Sequence, residues 1–300
     1  MPHPDFLPRL ELIPVRRIRF HERPEHRRTK KLVGRLSREG MLRNPPIVAE
    51  IGEEDYLLLD GANRVSAFAE LRYREVPAQI VDYADPEILL TGWHHLLLEP
   101  EKLELERRYR EIEALEVREI RGPGESTGHL GKAGEAVERA LAFRQVYAVW
   151  MDRAGRTWGL YPAGPAPSVV ERMQMLTRII ACYENRSALE RVKLAAYDDL
   201  PTVTAGREHE LCLFPTLTKE ELVALVRIGE LIPTGITRHI IPGRVLGLNL
   251  DLAFLREAPA GGSDPAASSE RRAHLREHVE SLALAGRVRY YEEPVFILNE

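Results

Sequence analysis

The sequence has few cysteines and no grouping of them. Only Cys182 and Cys212 occur among 300 residues, and neither belongs to a Cys-x-x-Cys pair or a His/Cys cluster. This pattern excludes zinc and redox chemistry of the usual cysteine spacings. Two isolated cysteines are typical of a chain that keeps its thiols reduced in the cytosol.

Long apolar runs are also missing. No stretch approaches the ~20 apolar residues of a membrane-spanning helix. The first residues carry prolines and Asp5 where a signal peptide has its apolar core. We therefore expect a cytoplasmic protein without a membrane partner. The shares of hydrophobic (44%) and charged (29%) residues are typical of a globular chain, and 300 residues suffice for two domains.

Charge is unevenly distributed along the chain. The net charge is −4, yet residues 1–43 contain twelve Lys or Arg against five Asp or Glu, an excess of seven positive charges. Such a segment suits a phosphate-bearing ligand or a nucleic acid. The alternative is a basic surface that only contacts solvent.

The stretch from Tyr56 to Arg64 predicts a sharp change from strand to helix. Residues suited to a buried strand lead into Asp60 and Gly61, and helical spacing begins directly afterwards. Gly61 lets the backbone turn, the first amides of the helix attract an anion, and Arg64 adds a cation. Phosphate fits such a turn, and a metal ion would reconcile it with the carboxylate of Asp60. The alternative is that Asp60 only caps the helix.

Two other segments carry chemically useful side chains. Pro24 disfavours a helix in the residue before it. Glu22 is therefore expected on a loop, where its carboxylate can orient towards a ligand. A later loop is expected to end in a hydroxyl, a guanidinium and an imidazole, supplied by Thr237, Arg238 and His239. The alternatives are a surface ion pair of Glu22 with a neighbouring arginine and a purely solvent-exposed polar triplet.

The sequence of strand and helix patterns predicts an α+β (mixed α/β) fold with two domains. We expect an amino-terminal domain at residues 1–98 and a helical or flexible connection at 99–130. A carboxyl-terminal α/β domain at 131–300 would then supply a substrate-binding loop. The small and polar residues 121–128 indicate the junction.

The order of parts over residues 10–83 resembles the ParB/sulfiredoxin superfamily. These parts are an extended entry, a His-Glu loop, a helix ending at Gly, a Pro-Ile-Val strand, a strand into Asp-Gly-x-x-Arg, a helix and a Val-Pro strand. Within the superfamily the chain is most similar to the free L-serine kinases, the O-phosphoserine synthase branch. The segments 91–94 (Thr-Gly-Trp-His) and 233–239 (Pro-Thr-Gly-Ile-Thr-Arg-His) extend this resemblance to about residue 255.

Other branches of the superfamily match less well. Sulfiredoxins carry a nucleophilic cysteine where Ala62 stands, so their thiol chemistry is excluded. ParB proteins have a Gly-Glu-Arg-Arg turn followed by a helix-turn-helix, whereas the later helices of this chain alternate with strands. The kinases carry Asp-Gly-His-His-Arg or a close variant, and Ala62 and Asn63 depart from that pattern.

The resemblance implies a kinase that transfers a phosphoryl group from ATP or ADP to the hydroxyl of free L-serine, giving O-phospho-L-serine. Asp60 would hold Mg²⁺ next to the transferring group. The backbone N–H groups of Gly61, Ala62, Asn63 and Arg64, with the Arg64 side chain, would bind the nucleotide phosphates. Positioning and charge neutralisation are the main needs of such a reaction.

The resemblance also implies the residues that handle the amino acid. Glu22 would accept the proton of the serine hydroxyl. The substrate pocket would be formed by Trp93, His94, Thr237, Arg238 and His239, with Arg238 on the carboxylate or the product phosphate. For Trp93 a half-buried core position is the alternative. The alternative function is a ParB-like, nucleotide-responsive regulator that binds DNA and has no kinase activity.

Overall fold

The structure is a computed structural model that describes residues 7–100, 103–120, 130–193, 209–256 and 265–289. It divides into two compact units. Unit 1 comprises Met1–Phe20, Pro24–Ile88 and Ile241–Glu300, and unit 2 comprises His21–Arg23 and Leu89–Ile240. Each unit contains helices and a sheet, which confirms the predicted α+β fold.

The elements follow one another in mixed order. The first part contains β1 (Leu10–Pro14), β2 (Ile18–Arg19), α1 (His26–Glu39), β3 (Met41–Leu42), β4 (Ile47–Glu50), β5 (Tyr56–Asp60), α2 (Ala62–Glu70) and β6 (Glu75–Val81). The middle part contains β7 (Leu89–Gly92), β8 (His94–Leu97), α3 (Leu105–Arg110), β9 (Leu115–Glu119), α4 (Leu130–Ala142), β10 (Ala148–Met151), β11 (Thr157–Pro162), α5 (Val169–Ala181), β12 (Leu189–Val192), β13 (Glu210–Leu213), α6 (Lys219–Arg227) and β14 (Thr237–Ile240). The last part contains β15 (Leu250–Asp251), α7 (Ala253–Arg256) and α8 (Pro265–Leu284).

Unit 1 is built on a five-stranded mixed sheet with the order β1-β6-β4-β5-β2. Strand β4 pairs antiparallel with β5 and parallel with β6, so the strand that ends at Asp60 is flanked by β4 and by the parallel strand β2. Apolar residues of the sheet and of α2 form one core, which includes Leu12, Val48, Leu58, Val65, Phe68 and Val76. Packing in this core holds the start of α2 in a fixed place at the end of β5.

Unit 2 contains a six-stranded antiparallel sheet with the order β12-β8-β13-β10-β11-β9, and a separate pair of β7 and β14. Every residue of β8, β10 and β13 is buried. Side chains alternate between the two faces of a strand, so these central strands are covered on both faces. The two histidines of β8 therefore lie inside the unit.

The observed division differs from the predicted domains. The stretch predicted as a connection contains α3 and β9, and β9 is the edge strand of the unit 2 sheet. The described residues from 241 onward belong to unit 1, where β15 pairs with β3. Pairing between strands far apart in the sequence determines these boundaries. A change in local residue composition does not indicate such pairing.

The Thr237 to His239 segment, predicted as a loop, is strand β14. It pairs antiparallel with β7, with Thr237 opposite Gly92 and Arg238 opposite Thr91. A polar triplet lacks the apolar alternation that predicts a strand from local sequence. Its partner strand lies about 145 residues earlier in the chain, which is why local sequence did not indicate the pairing.

The basic amino-terminal segment is partly neutralised inside unit 1. Its ion pairs are Arg9 with Glu11 and Glu50, Arg17 with Glu54, Arg19 with Asp55, Arg28 with Glu25, and Arg43 with Glu39. Three of these carboxylates, Glu50, Glu54 and Asp55, lie outside residues 1–43, so the pairs offset part of the excess positive charge counted from the sequence. Among the described helices, none is long and apolar enough to cross a bilayer.

We expect Thr218→Ala to lower the free energy of unfolding by about 1 kcal/mol. Thr218 is the N-cap of α6, where its hydroxyl accepts from the Glu221 N–H at 3.2 Å and the Glu221 carboxylate accepts from the Thr218 N–H at 2.9 Å. Urea unfolding measures the change. Thr218→Ser is the control because it keeps the hydroxyl, and equal stability of all three proteins would contradict the prediction.

Candidate functional site

In unit 1 the carboxylate of Asp60 lies at the end of β5, and Gly61 begins the turn into α2. Gly61 has a φ of 100°, in the left-handed region that favours glycine. A Cβ at this position would lie 2.9 Å from Arg64 Nε and from Pro46 Cβ. The predicted turn is present, and both the backbone conformation and the available space require glycine in it.

Two guanidinium groups contact the carboxylate of Asp60. Arg64 Nη2 donates to Asp60 Oδ2, and Arg244 Nη2 donates to the same oxygen at 2.7 Å. Arg64 is further anchored because its Nη1 donates to the carbonyl oxygens of Asn44 and Pro45, each at 2.9 Å. Burial lowers the pKa of Arg64 while Asp60 raises it, and an arginine remains charged in proteins.

One carboxylate and two guanidinium groups give this turn a net charge of +1. Within the described ranges, no group of three or more His, Cys, Asp or Glu side chains could hold a metal ion. The turn therefore suits an anion better than an isolated cation. Mg²⁺ is usually held by one or two carboxylates, waters and substrate phosphates. Both arginines contact Oδ2, so Oδ1 of Asp60 fits a Mg²⁺ that arrives with a polyphosphate.

The side chain of Asn63 is engaged inside unit 1. Its Oδ1 accepts from the backbone N–H of Glu25 at 2.9 Å and from the hydroxyl of Thr29 at 3.0 Å. Glu25 is the N-cap residue of α1, so Asn63 connects the start of α1 with the start of α2. Among the predicted phosphate-binding residues, Gly61, Ala62 and Asn63 can thus offer their backbone N–H groups, which the first turn of a helix leaves without intrahelical acceptors.

Unit 2 holds the carboxylate of Glu22 with three donors. Oε2 accepts from the Gly235 N–H at 3.0 Å, and Oε1 accepts from the Thr237 N–H at 3.2 Å and from the Thr237 hydroxyl. The backbone of residue 22 is also fixed, because the Ile232 N–H donates to the carbonyl of His21 at 2.8 Å. Neutral donors therefore orient this carboxylate, in place of the surface ion pair that the sequence offered as an alternative.

Three further predicted residues lie in the same part of unit 2. The guanidinium carbon of Arg238 lies 4.5 Å from the centroid of the Trp93 ring, a cation–π contact that orients the arginine. The ring of His239 contacts the ring of His21 edge-on, with centroids 5.4 Å apart. Trp93 is half-buried. Thr237 and His239 thus lie against residues 21–22, whereas Arg238, the residue between them on β14, lies against Trp93.

His94, predicted to line the substrate pocket, does not share that surface. It is 8% exposed in the central strand β8, and its Nδ1 accepts from the backbone N–H of Phe214 at 3.3 Å. Burial lowers the pKa of His94 to about 4. The structure therefore indicates a neutral histidine in the core of the sheet, because β8 is covered on both faces.

Sequence analysis missed Arg244 and Gly235. Arg244 contacts Asp60 from 184 residues away, and no spacing in the sequence connects the two. In the sequence Gly235 stands within the segment 233–239 that extends the resemblance, with no role assigned to it. It has a φ of 83° and donates to Glu22, which makes it part of the site. A glycine following Pro-Thr was the only local signal for this position.

Known proteins with similar sequences include L-serine kinases. No family model matches the chain. An ATP-dependent L-serine kinase, SbnI of Staphylococcus aureus, is 23% identical over 256 residues, covering 83% of this chain and 84% of the relative. An ADP-dependent L-serine kinase, SerK of Thermococcus kodakarensis, is 25% identical over 232 residues, covering 77% and 86%. The chain is related to the L-serine kinases.

The fold agrees with this relationship. A solved structure of a free serine kinase variant in complex with ADP superimposes with a TM-score of 0.64 at 21% identity, covering 82% of this chain and 93% of that chain. The predicted resemblance to the free serine kinase branch is confirmed. The relatives support the kinase interpretation over the DNA-binding alternative.

We expect Gly61→Ala to lower the free energy of unfolding by at least about 1 kcal/mol, because a non-glycine residue is strained in the left-handed region and the new Cβ displaces Arg64 and Pro46. Urea unfolding measures the loss. Gly52→Ala is the matched control, since a Cβ there meets no atom within 4 Å. Equal losses in both variants would contradict the special geometry of the turn.

We expect stability to fall as the pH drops from about 6.5 towards 4. The pKa of His94 and that of His95 are both lowered from 6.5 to about 4, mainly by burial. In this window the unfolded chain binds protons that the folded chain does not, so acid favours unfolding. The loss at about pH 5 is on the order of 2 kcal/mol per histidine. Urea unfolding at about pH 6.5 and at about pH 5 measures this loss of stability. If the stability of His95→Gln depended on pH as steeply as that of the wild type, the assignment to His95 would be contradicted.

Proposed function

We propose that this protein is a kinase that transfers a phosphoryl group from ATP or ADP to the hydroxyl of free L-serine and releases O-phospho-L-serine. The observation that carries the proposal is the pre-oriented carboxylate of Glu22, held by Gly235 and Thr237 in unit 2. The net positive turn at Asp60 in unit 1 supplies the second requirement, a place for phosphate. The relatives named L-serine kinases include one that is ATP-dependent and one that is ADP-dependent.

In unit 1 the terminal phosphates of the nucleotide bind at the start of α2. Backbone N–H groups at a helix start attract anions, and the guanidinium of Arg244, whose side chain is 41% exposed, is accessible to a phosphate. Arg64 is anchored to two carbonyls and orients Asp60. Mg²⁺, held by Oδ1 of Asp60 and the phosphates, would neutralise charge on the transferring phosphoryl group.

In unit 2 Glu22 acts as the general base. As the serine oxygen forms its bond to phosphorus, the bond from phosphorus to the nucleotide oxygen breaks and that oxygen keeps the electron pair. The serine proton passes to Glu22. Its Oε2 accepts one hydrogen bond from the protein, which leaves a lone pair for the substrate hydroxyl.

The amino acid itself is recognised by the β7–β14 pair. Arg238, oriented on the ring of Trp93, binds the carboxylate of serine, because a guanidinium matches a carboxylate with two parallel hydrogen bonds. His239 contacts the ring of His21, the residue before Glu22, and lines the pocket on the side of the base. Thr237 donates its hydroxyl to Glu22 and therefore orients the base.

The experiment incubates the purified protein with Mg²⁺, L-serine and either ATP or ADP, and follows O-phosphoserine by phosphorus NMR. We expect Glu22→Gln to lower kcat by about 10²–10⁴-fold, the usual contribution of a general base, without changing nucleotide affinity. Asp60→Asn is expected to weaken nucleotide binding as well, because it removes the negative charge that would hold Mg²⁺ and that pairs with both arginines.

Glu53→Gln is the control for the loss of a carboxylate, since Glu53 is exposed in the turn between β4 and β5. It is expected to retain wild-type activity. Wild-type rates in Glu22→Gln would exclude the role of Glu22 as the base. Absence of O-phosphoserine with both donors would exclude serine as the acceptor.

A further inference from the structure

A buried chain of hydrogen bonds lies behind the carboxylate of Glu22 in unit 2. The hydroxyl of Tyr183 lies 2.9 Å from His95 Nδ1, and His95 Nε2 lies 3.0 Å from the carbonyl oxygen of Gly235. The N–H of Gly235 donates to Glu22 Oε2 at 3.0 Å. His95 is 2% exposed and Tyr183 is 1% exposed, so solvent does not supply these contacts.

Chemistry determines the direction of each bond. A carbonyl oxygen only accepts, so His95 must carry its proton on Nε2 and accept at Nδ1. Burial lowers the pKa of His95 to about 4, which keeps the ring neutral with a single proton. Burial also raises the pKa of Tyr183 well above its ordinary value, so its hydroxyl keeps the proton that it donates to Nδ1. Tyr183 thereby selects the tautomer of His95.

This chain of hydrogen bonds reaches the carboxylate of Glu22 through Gly235. Its φ of 83° places it in the left-handed region, and an added Cβ would collide with the guanidinium of Arg191. Two backbone N–H groups donate to Glu22, those of Gly235 and Thr237. The peptide bond from Gly235 to Ile236 lies between them. A bond that fixes this peptide also fixes the direction of both donors.

We propose that His95, held in one tautomer by Tyr183, is a positioning residue that aims the carboxylate of Glu22 through the backbone of Gly235. The consequence for catalysis rests on the proposed kinase function, whereas the positioning itself does not. Without the His95 donor the buried carbonyl of Gly235 lacks this partner, and an unpaired buried carbonyl favours rotation of the peptide. The donors then no longer hold Glu22 in one orientation.

Three variants test the individual hydrogen bonds of His95 and Tyr183. His95→Phe removes both ring nitrogens, and Tyr183→Phe removes only the hydroxyl that selects the tautomer. His95→Gln is the conservative variant, because its amide nitrogen can donate to the carbonyl of Gly235 as Nε2 does. Tyr147→Phe is the control, since Tyr147 is also a buried phenol of unit 2 and its ring contacts Arg172, which is not a member of this hydrogen-bond chain.

The first measurement is hydrogen exchange at the amides of Gly235 and Thr237, which does not depend on any activity. We expect faster exchange at both amides in His95→Phe and Tyr183→Phe, and wild-type exchange in Tyr147→Phe. His95→Gln should restore protection of the Gly235 amide. Wild-type exchange in both His95→Phe and Tyr183→Phe would overturn the positioning role.

The second measurement is steady-state kinetics with serine and nucleotide. We expect kcat to fall about 100-fold in His95→Phe, the loss that a misplacement of about 1 Å produces, with an unchanged KM for the nucleotide. His95→Gln should recover most of the loss, which a purely structural role would not produce. Faster exchange with wild-type kcat would overturn the catalytic consequence. A wild-type protein that forms no O-phosphoserine would overturn the proposed function, and the exchange result would still decide the positioning role.

Discussion

The ion pair between Asp60 and Arg64 determines what the turn after β5 can bind. Arg64 is anchored to the carbonyls of Asn44 and Pro45, so it holds the carboxylate at the end of the strand. Arg244 adds a second positive charge. A carboxylate alone would repel phosphate, whereas this group of three has a net charge of +1 and retains one carboxylate oxygen outside the ion pairs. In the proposed function this turn accepts a polyphosphate together with its metal ion.

The second carboxylate of the proposed mechanism is held by a different kind of interaction. Glu22 receives neutral donors from Gly235 and Thr237, so it is oriented without being neutralised by a cation. A general base needs a carboxylate with a fixed orientation and a free lone pair. Neutral hydrogen-bond donors provide the first and leave the second. Behind it, the central strand β8 contributes a histidine to a buried chain of hydrogen bonds. In the proposed mechanism the two carboxylates serve different steps because their surroundings differ.

Features that depend on neighbouring residues were predicted correctly. The turn at Gly61 follows from a strand pattern, a glycine and a helix pattern that adjoin one another. The grouping of Glu22 with Thr237 and Arg238 was expected from a resemblance. His94 was misplaced because one residue along a strand moves a side chain to the other face, and only the sheet order shows that β8 is buried on both faces.

The sequence by itself determined the α+β class, the turn into α2 and the relationship to the serine kinases, because each depends on local patterns or on ordered motifs. Tertiary structure decided the partners of the two carboxylates. Arg244 reaches Asp60 and Gly235 reaches Glu22 across 184 and 213 residues of chain. Such contacts arise when strands and loops pack together, and no periodicity or spacing in a single sequence encodes them.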